Sequence, residues 1–276
     1  MQLTPRYDSP PIITLDGPPS GVLAPLIRQR RRLADAVQHF TDAEWSHPSR
    51  CAGWSNRDVI AHLDSVDGFW AYSVSQGVAG KPTRFLATFD PVASPAALVA
   101  ASQADAPEVR DRFLASSAAF VARMEALSDD EWDSVAEAPP GHISVSALAH
   151  HALWDAWVHE RDIMLPLGAP CAVEADEIEC GLRYAAALGP ALACSRGSTA
   201  PGTLALIGHS PALEFVVDVA AVVAVRSGRT TEADITLRGD SVELLEALSV
   251  RRPLPQSIDE KHAWLLMGLA TAFDQE

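Results

Sequence analysis

Asp155 and His159 stand four residues apart in the stretch 144–165, which reads SVSALAHHALWDAWVHERDIML. On an α-helix that spacing places a carboxylate and an imidazole on one face. At 100° per residue Leu148, Asp155, His159 and Asp162 fall in one narrow stripe, with His151 at its edge. Around the rest of the cylinder lie Val145, Ala147, Ala149, Leu153, Trp154, Ala156, Trp157, Val158 and Ile163. This is close to the inverse of an ordinary amphipathic helix. The ionisable stripe is therefore expected to face inward, where such groups must be paired or bind a metal. Asp155 and His159 can chelate a divalent ion together. A third ligand has to come from another helix, and His62 is the best candidate, because it projects between Val59, Val66 and Phe69 on an apolar helix face. Two imidazoles and one carboxylate suit zinc, nickel or iron(II). Three protein ligands leave a position for water or substrate, which marks a catalytic rather than a structural site. From spacing alone, an ordinary buried ion pair for Asp155 and His159, and a core histidine for His62, stay open as alternatives.

The elements that must position these residues follow from periodicity and breakers. The chain has 276 residues, enough for about two domains. Its 48% hydrophobic and 21% charged content predicts a globular fold with a sizeable core. Residues 1–19 read as an extended arm rich in proline and polar residues. Helical spacing predicts helices over 20–40, 55–76, 95–127 with a break near Pro107, 144–165 and 174–192. Ser55 with Asp58 resembles a capping box, and Ser144 is a candidate N-cap. The segment 128–144 is expected to be a loop with an acidic turn. Cys194–Gly202 is a small-residue linker that separates a domain over 20–194 from one over 203–276. Beyond it the period shortens: 203–207, 214–219, 221–225 and 234–237 read as hairpin-connected strands. Helices are expected from Asp240 to Leu248 and from Asp259 to Phe273. The fold class is therefore α+β, helices first and a small α+β layer after them.

Composition narrows the partners. A net charge of −15 argues against nucleic acid, whose binding relies on clustered Lys and Arg. The one basic cluster, Arg28, Arg30, Arg31 and Arg32, reads as a solvated helix face. Neither a secretory leader nor a bilayer-spanning run is visible, and four cysteines without a Cys-x-x-Cys spacing suit free thiols in a reducing cytoplasm. A small-molecule substrate is the expected partner.

The stretch SRCAGWSNRDVIAHL (49–63), preceded by FTDAEWSHP, resembles the N-terminal signature of the mycothiol-dependent maleylpyruvate isomerase family, within the DinB-like superfamily of metal-binding four-helix bundles. Gly53-Trp54, Arg57-Asp58 and Ala61-His62-Leu63 carry the match. Arg161-Asp162-Ile163 resembles the family's continuation after the ligand helix. ADITLRGDSVELLEALSVRRP (233–253) is similar to its C-terminal domain, in which a strand leads through Gly-Asp to a helix and an Arg.

The resemblance implies a DinB-like four-helix bundle followed by a C-terminal α+β domain. It implies a divalent metal, zinc first, held by His62, Asp155 and His159, and a low-molecular-weight thiol, mycothiol, as cofactor. The family carries Glu where this chain has Asp155, so the metal must sit closer to the helix or be reached through water. The implied chemistry is isomerisation or S-transfer by a thiolate. Arg251, Arg226 and Arg229 are candidates to hold an anionic substrate or the thiol, with a solvated surface Arg as the alternative for each. His151 is the candidate acid or base, and Asp162 can orient a ligand histidine. His150 is assigned to the helix surface, Cys51 to a small buried position, and Trp54, Trp154 and Trp157 to core or pocket wall. Two rival functions share these residues: a thiol-independent metal hydrolase or lyase, and a metal-free small-molecule binder.

Overall fold

The computed structural model describes residues 2–8, 10–102, 104–198, 200–229 and 232–273. In chain order the elements are β1 (Ile13–Leu15), α1 (Leu23–Gln38), α2 (Asp42–Ser46), α3 (Asn56–Val78), α4 (Ala93–Ala101), α5 (Ala106–Glu125), β2 (Val135–Ala138), β3 (Gly141–Ser144), α6 (Val145–Met164) and α7 (Ala175–Ser195). They continue with β4 (Gly202–His209), β5 (Leu213–Val219), β6 (Val223–Ser227), β7 (Ile235–Asp240), α8 (Ser241–Leu248) and α9 (Trp264–Phe273).

The helical part is built on four long helices. α1 packs on α5 and α6, and α3 packs on the same two. α3 starts where its sequence says it should: Ser55 accepts from the Asp58 amide, and Asp58 returns a bond to the Ser55 amide. Ser144 likewise caps α6 through the Ala147 amide. The helix expected over 95–127 is split in two. Asp105 caps α5 with a bond to the Glu108 amide, and Ala106-Pro107 occupy its first positions, which suit proline. α6 is buried nearly all round, as a helix apolar around most of its girth must be.

The segment 128–144 departs from expectation. It ends in an antiparallel hairpin, β2 against β3, with Val135 opposite Ser144. The hairpin docks on α3 at Gly77, where any Cβ would collide with the Val135 carbonyl. Pro139 and Pro140 made this stretch read as loop, whereas they only form the hairpin's tip.

The C-terminal part is a five-stranded mixed sheet in the order β1-β6-β5-β4-β7. β4, β5 and β6 form an antiparallel meander, but β7 runs parallel to β4, and β1 parallel to β6. The strands are thus hairpin-connected only in the middle. β1 comes from the N-terminal arm, which brings Ile12 and Ile13 into full burial. α7 lies between the two parts, packing on α6, α8, α9 and the sheet. The last helix begins at Trp264, not Asp259. No helix among the described residues is long and apolar enough to cross a membrane.

Candidate metal centre and its surroundings

His62 comes from the second turn of α3; Asp155 and His159 come from the middle of α6. Their ligand atoms all lie within 4.8 Å of one another. His159 Nε2 is 3.6 Å from Asp155 Oδ1, and the His62 and His159 rings meet edge to face at 5.1 Å. Tetrahedral ligands at about 2.1 Å from a zinc ion stand about 3.4 Å apart, so the three need only a small inward adjustment to share a cation. Asp155 Oδ2 is buried and has no hydrogen-bond partner within the protein. An orphaned buried carboxylate oxygen beside two imidazoles is the donor set that a divalent ion would complete. Trp54 walls the site, 5.5 Å from His62. His62 also lines a cavity of about 120 Å³ with Asp64, Leu98, Val99 and Arg112.

The other side of His159 is fully engaged. Its Nδ1 is 3.1 Å from Asp162 Oδ2, a contact that fixes ring orientation and tautomer. Asp162 is completely buried and accepts from Arg50 Nε at 3.0 Å and from Arg251 Nε and Nη2 at 2.9 and 2.8 Å. The Cys51 thiol donates to the same carboxylate, with Sγ to Oδ2 at 3.2 Å, and Sγ lies 3.7 Å from His159 Nδ1. Glu246 on α8 then joins Arg50 to Arg161 on α6.

These surroundings set the charge states. Burial pulls His62 down to about 4, helped by His159 and opposed by Asp155. His159 moves the other way: burial opposes its charged form, but Asp162, Cys51 and Asp155 outweigh it and raise the imidazole to about 10. Burial resists ionisation of Asp162 too, and His159 and Arg251 overcome it, holding the carboxyl far below the usual range. Asp155 is lowered: burial alone would raise it, and His159, His62 and His151 prevail.

Cys51, Asp162 and His159 form a second group of ligand-type atoms within 4.8 Å. They suit a cation less well, because Asp162 is already neutralised by two guanidinium groups that would repel one.

The remaining candidates separate. His151, one turn before Asp155, accepts or donates at 2.9 Å with Tyr184 of α7 and sits between Trp70 and Trp154. Burial lowers it to about 4 against the pull of Asp155. Arg251 reaches the site, but its guanidinium is committed to Asp162. Arg226 pairs with Asp218 and Arg229 with Glu214 on the exposed sheet. His150 is not on the surface: it is buried, its Nδ1 2.8 Å from the Ser146 carbonyl, because neighbouring elements enclose α6 on nearly every side. Trp157 is core, and Trp154 bonds through Nε1 to Ser249 Oγ at 2.8 Å.

The basic run on α1 is not a solvated face either. Arg32 is shared by Glu160 and Glu177, Arg28 pairs with Asp176 and Glu177, and Arg30 is buried against Asp67 at 2.7 Å; only Arg31 stays largely in water. Sequence reasoning missed this clamp and the roles of Arg50 and Cys51. The partners of Arg32, Arg50 and Cys51 lie more than 100 residues away, and only the place of Arg50-Cys51 inside the SRCAGW signature pointed toward the site.

The comparisons bear on the fold and the family. Two solved structures share the fold, the mycothiol-dependent maleylpyruvate isomerase and a histidine-to-alanine mutant of it. Each aligns with a TM-score of 0.61 and 18% identity, over 86% of this chain and 91% of the other. No curated protein matches the sequence. Residues 26–164, half of the chain and the span that contains His62, Asp155 and His159, match the family model of the mycothiol maleylpyruvate isomerase N-terminal domain, and the chain therefore belongs to that family.

Proposed function

We propose that this protein is a metal- and thiol-dependent enzyme of small-molecule metabolism, an isomerase or S-transferase using mycothiol, built on a DinB-like four-helix bundle with a C-terminal α+β domain. The observation that carries the reading is the meeting of His62, Asp155 and His159, joined to the family match over those residues. Zinc suits the donor set best, and a bound divalent ion would hold a thiol sulfur as thiolate, its nucleophilic form.

The chain's own groups supply the rest. Asp162, clamped by Arg50 and Arg251, keeps His159 turned so that Nε2 faces Asp155 and His62. His151 is neutral at pH 7 and, with Tyr184, is the acid–base pair one turn from Asp155. Arg251, a quarter exposed at the edge of the site, is the candidate to hold the thiol's polar groups with its remaining N–H donors. Addition of a thiolate to an electrophilic double bond, rotation and expulsion of the same thiolate returns the thiol and gives cis–trans isomerisation. Addition with loss of a leaving group gives S-transfer.

The test is turnover of maleylpyruvate, the compound named for the structural neighbours, by the zinc-loaded protein with and without mycothiol. Thiol-dependent turnover supports the reading. Metal-dependent turnover of another substrate, indifferent to thiol, would point to a hydrolase or lyase. Absence of stoichiometric metal after chelator-free purification would favour a binding protein.

A further inference from the structure

His62 belongs to two places at once. It supplies one ligand atom to the centre, and it forms part of the wall of the cavity of about 120 Å³ between α3, α4 and α5. α3 contributes His62 and Asp64 to that cavity, α4 contributes Leu98 and Val99, and α5 contributes Val109 and Arg112, one turn apart. Leu98 is 56% exposed, an apolar side chain left largely in solvent. At the rim Arg112 pairs with Asp64. Both contacts, from Nε at 3.2 Å and from Nη2 at 3.1 Å, fall on one carboxylate oxygen, Oδ2. The guanidinium is more than half exposed, so its remaining N–H donors are open to a ligand. None of the cavity's walls comes from the C-terminal part, where Arg251 stands. The cavity and Arg251 are therefore separate approaches to the centre.

Size limits what the cavity can take. An apolar cavity of about 150 Å³ holds benzene, so one of about 120 Å³ admits about six heavy atoms. That matches the carboxylate-bearing end of a small unsaturated acid. A sugar-linked thiol such as mycothiol is several times too large. Charge points the same way. A divalent ion on two neutral imidazoles and one carboxylate leaves the centre with about one net positive charge, and the Arg112–Asp64 pair adds none. The field beside His62 then favours an anion, and a guanidinium fork is the group that best recognises a carboxylate.

We propose that this cavity is the substrate subsite: the end of a small unsaturated acid lies against Leu98, Val99 and Val109 with its carboxylate on Arg112, while the thiol reaches the centre from the Arg251 side. Arg112 is the anchor, and Asp64 holds its guanidinium at the rim. The two reactants arrive by different routes, and only their reacting ends share the centre. Calling the occupant the substrate rests on the metal and thiol reading given above. The affinity of the cavity for a small carboxylate does not.

The probe is maleate, a small unsaturated dicarboxylate, added to the zinc-loaded full chain and followed by calorimetry. The wild type is expected to bind it. Arg112→Gln is expected to bind it at least about tenfold more weakly, the loss of a charged hydrogen-bonded pair. Val99→Phe, which fills the cavity, is expected to lose it, with zinc content unchanged in both variants. No binding by the wild type overturns the subsite. So does binding that Arg112→Gln leaves unchanged, which would place maleate on the metal alone. Arg112 is on the surface, so its variant decides even where Val99→Phe does not fold. In turnover, Arg112→Gln is expected to raise KM for maleylpyruvate and leave KM for mycothiol as it is; the reverse split overturns the assignment of routes. A wild type that binds maleate through Arg112 but turns over no maleylpyruvate refutes the function proposed above and leaves the carboxylate subsite standing.

Discussion

The two nitrogens of His159 face opposite kinds of neighbourhood. On the Nδ1 side, Asp162 gathers His159, Arg50, Arg251 and Cys51, and its partners come from the loop before α3, from α6 and from beyond α8. On the Nε2 side, Asp155 and His62 stand close but are joined by no hydrogen bond, and Asp155 keeps a buried oxygen without a partner. One side is determined several times over; the other is left short. A fold that ties down one face of an imidazole so thoroughly gives the opposite face a fixed direction, and the unsatisfied donors there are the ones a cation would use. Rigidity on one side is what makes incompleteness on the other chemically useful.

This contrast can be broken at either face. The largest effect is expected from His62→Ala: stoichiometric metal should be lost, with affinity down more than about a hundredfold, while the fold survives, because His62 is partly exposed and makes no structural ion pair. Metal analysis after dialysis, with circular dichroism alongside, checks it. On the saturated side, Asp162→Ala leaves Arg251 without its carboxylate and Arg50 with Glu246 alone, and should cost about 3–5 kcal/mol of stability, read by urea unfolding. Metal retained at wild-type affinity in that variant would show that Nδ1 does not need its partner.

Proton linkage sharpens the same comparison. The folded-state carboxyl of Asp162 lies below its unfolded value near 4, so its contribution is complete above that value. It is lost progressively as the pH falls from there toward the lower folded-state value. Asp162→Asn should therefore flatten the acid limb of the stability curve, a result visible in thermal unfolding from neutral pH downward. At the Nε2 face, the metal-free His159 is protonated up to about 10, so a divalent ion must displace a proton. Metal affinity should rise with pH across the neutral range, with about one proton released per ion. Calorimetry in buffers of different ionisation enthalpy measures it, and a release near zero would mean that Nε2 is not a ligand. The smallest effect belongs to Arg229→Ala: its ion pair with Glu214 is on the exposed sheet, so stability should change by at most about 1 kcal/mol and metal binding not at all.

Much of the helical part was legible. The caps at Ser55 and Ser144 act within three residues, and the apolar girth of the central helix follows from period alone, so short-range chemistry was enough to place α3 and α6 and to nominate His62, Asp155 and His159. Elsewhere the local signal misled. Prolines at 139 and 140 hid a hairpin, and a basic run on α1 looked like a solvated face until Glu160, Asp176 and Glu177 arrived beside it from other helices. His150 looked exposed because nothing in its own helix says that other elements will enclose that side of it.

The sequence by itself determined which side chains share a face of α6, where the long helices begin and that strands follow them, since these depend on neighbours within a few residues. Only the tertiary structure decided that α3 would bring His62 within ligand distance of that face. It alone placed Arg50, Cys51 and Arg251 around Asp162, and used the N-terminal arm to complete a sheet 210 residues later, with Ile13 opposite Val223. Burial of charge, pairing across more than 100 residues and parallel strand registers are properties of the packed chain. No local window of sequence contains both partners of such a contact.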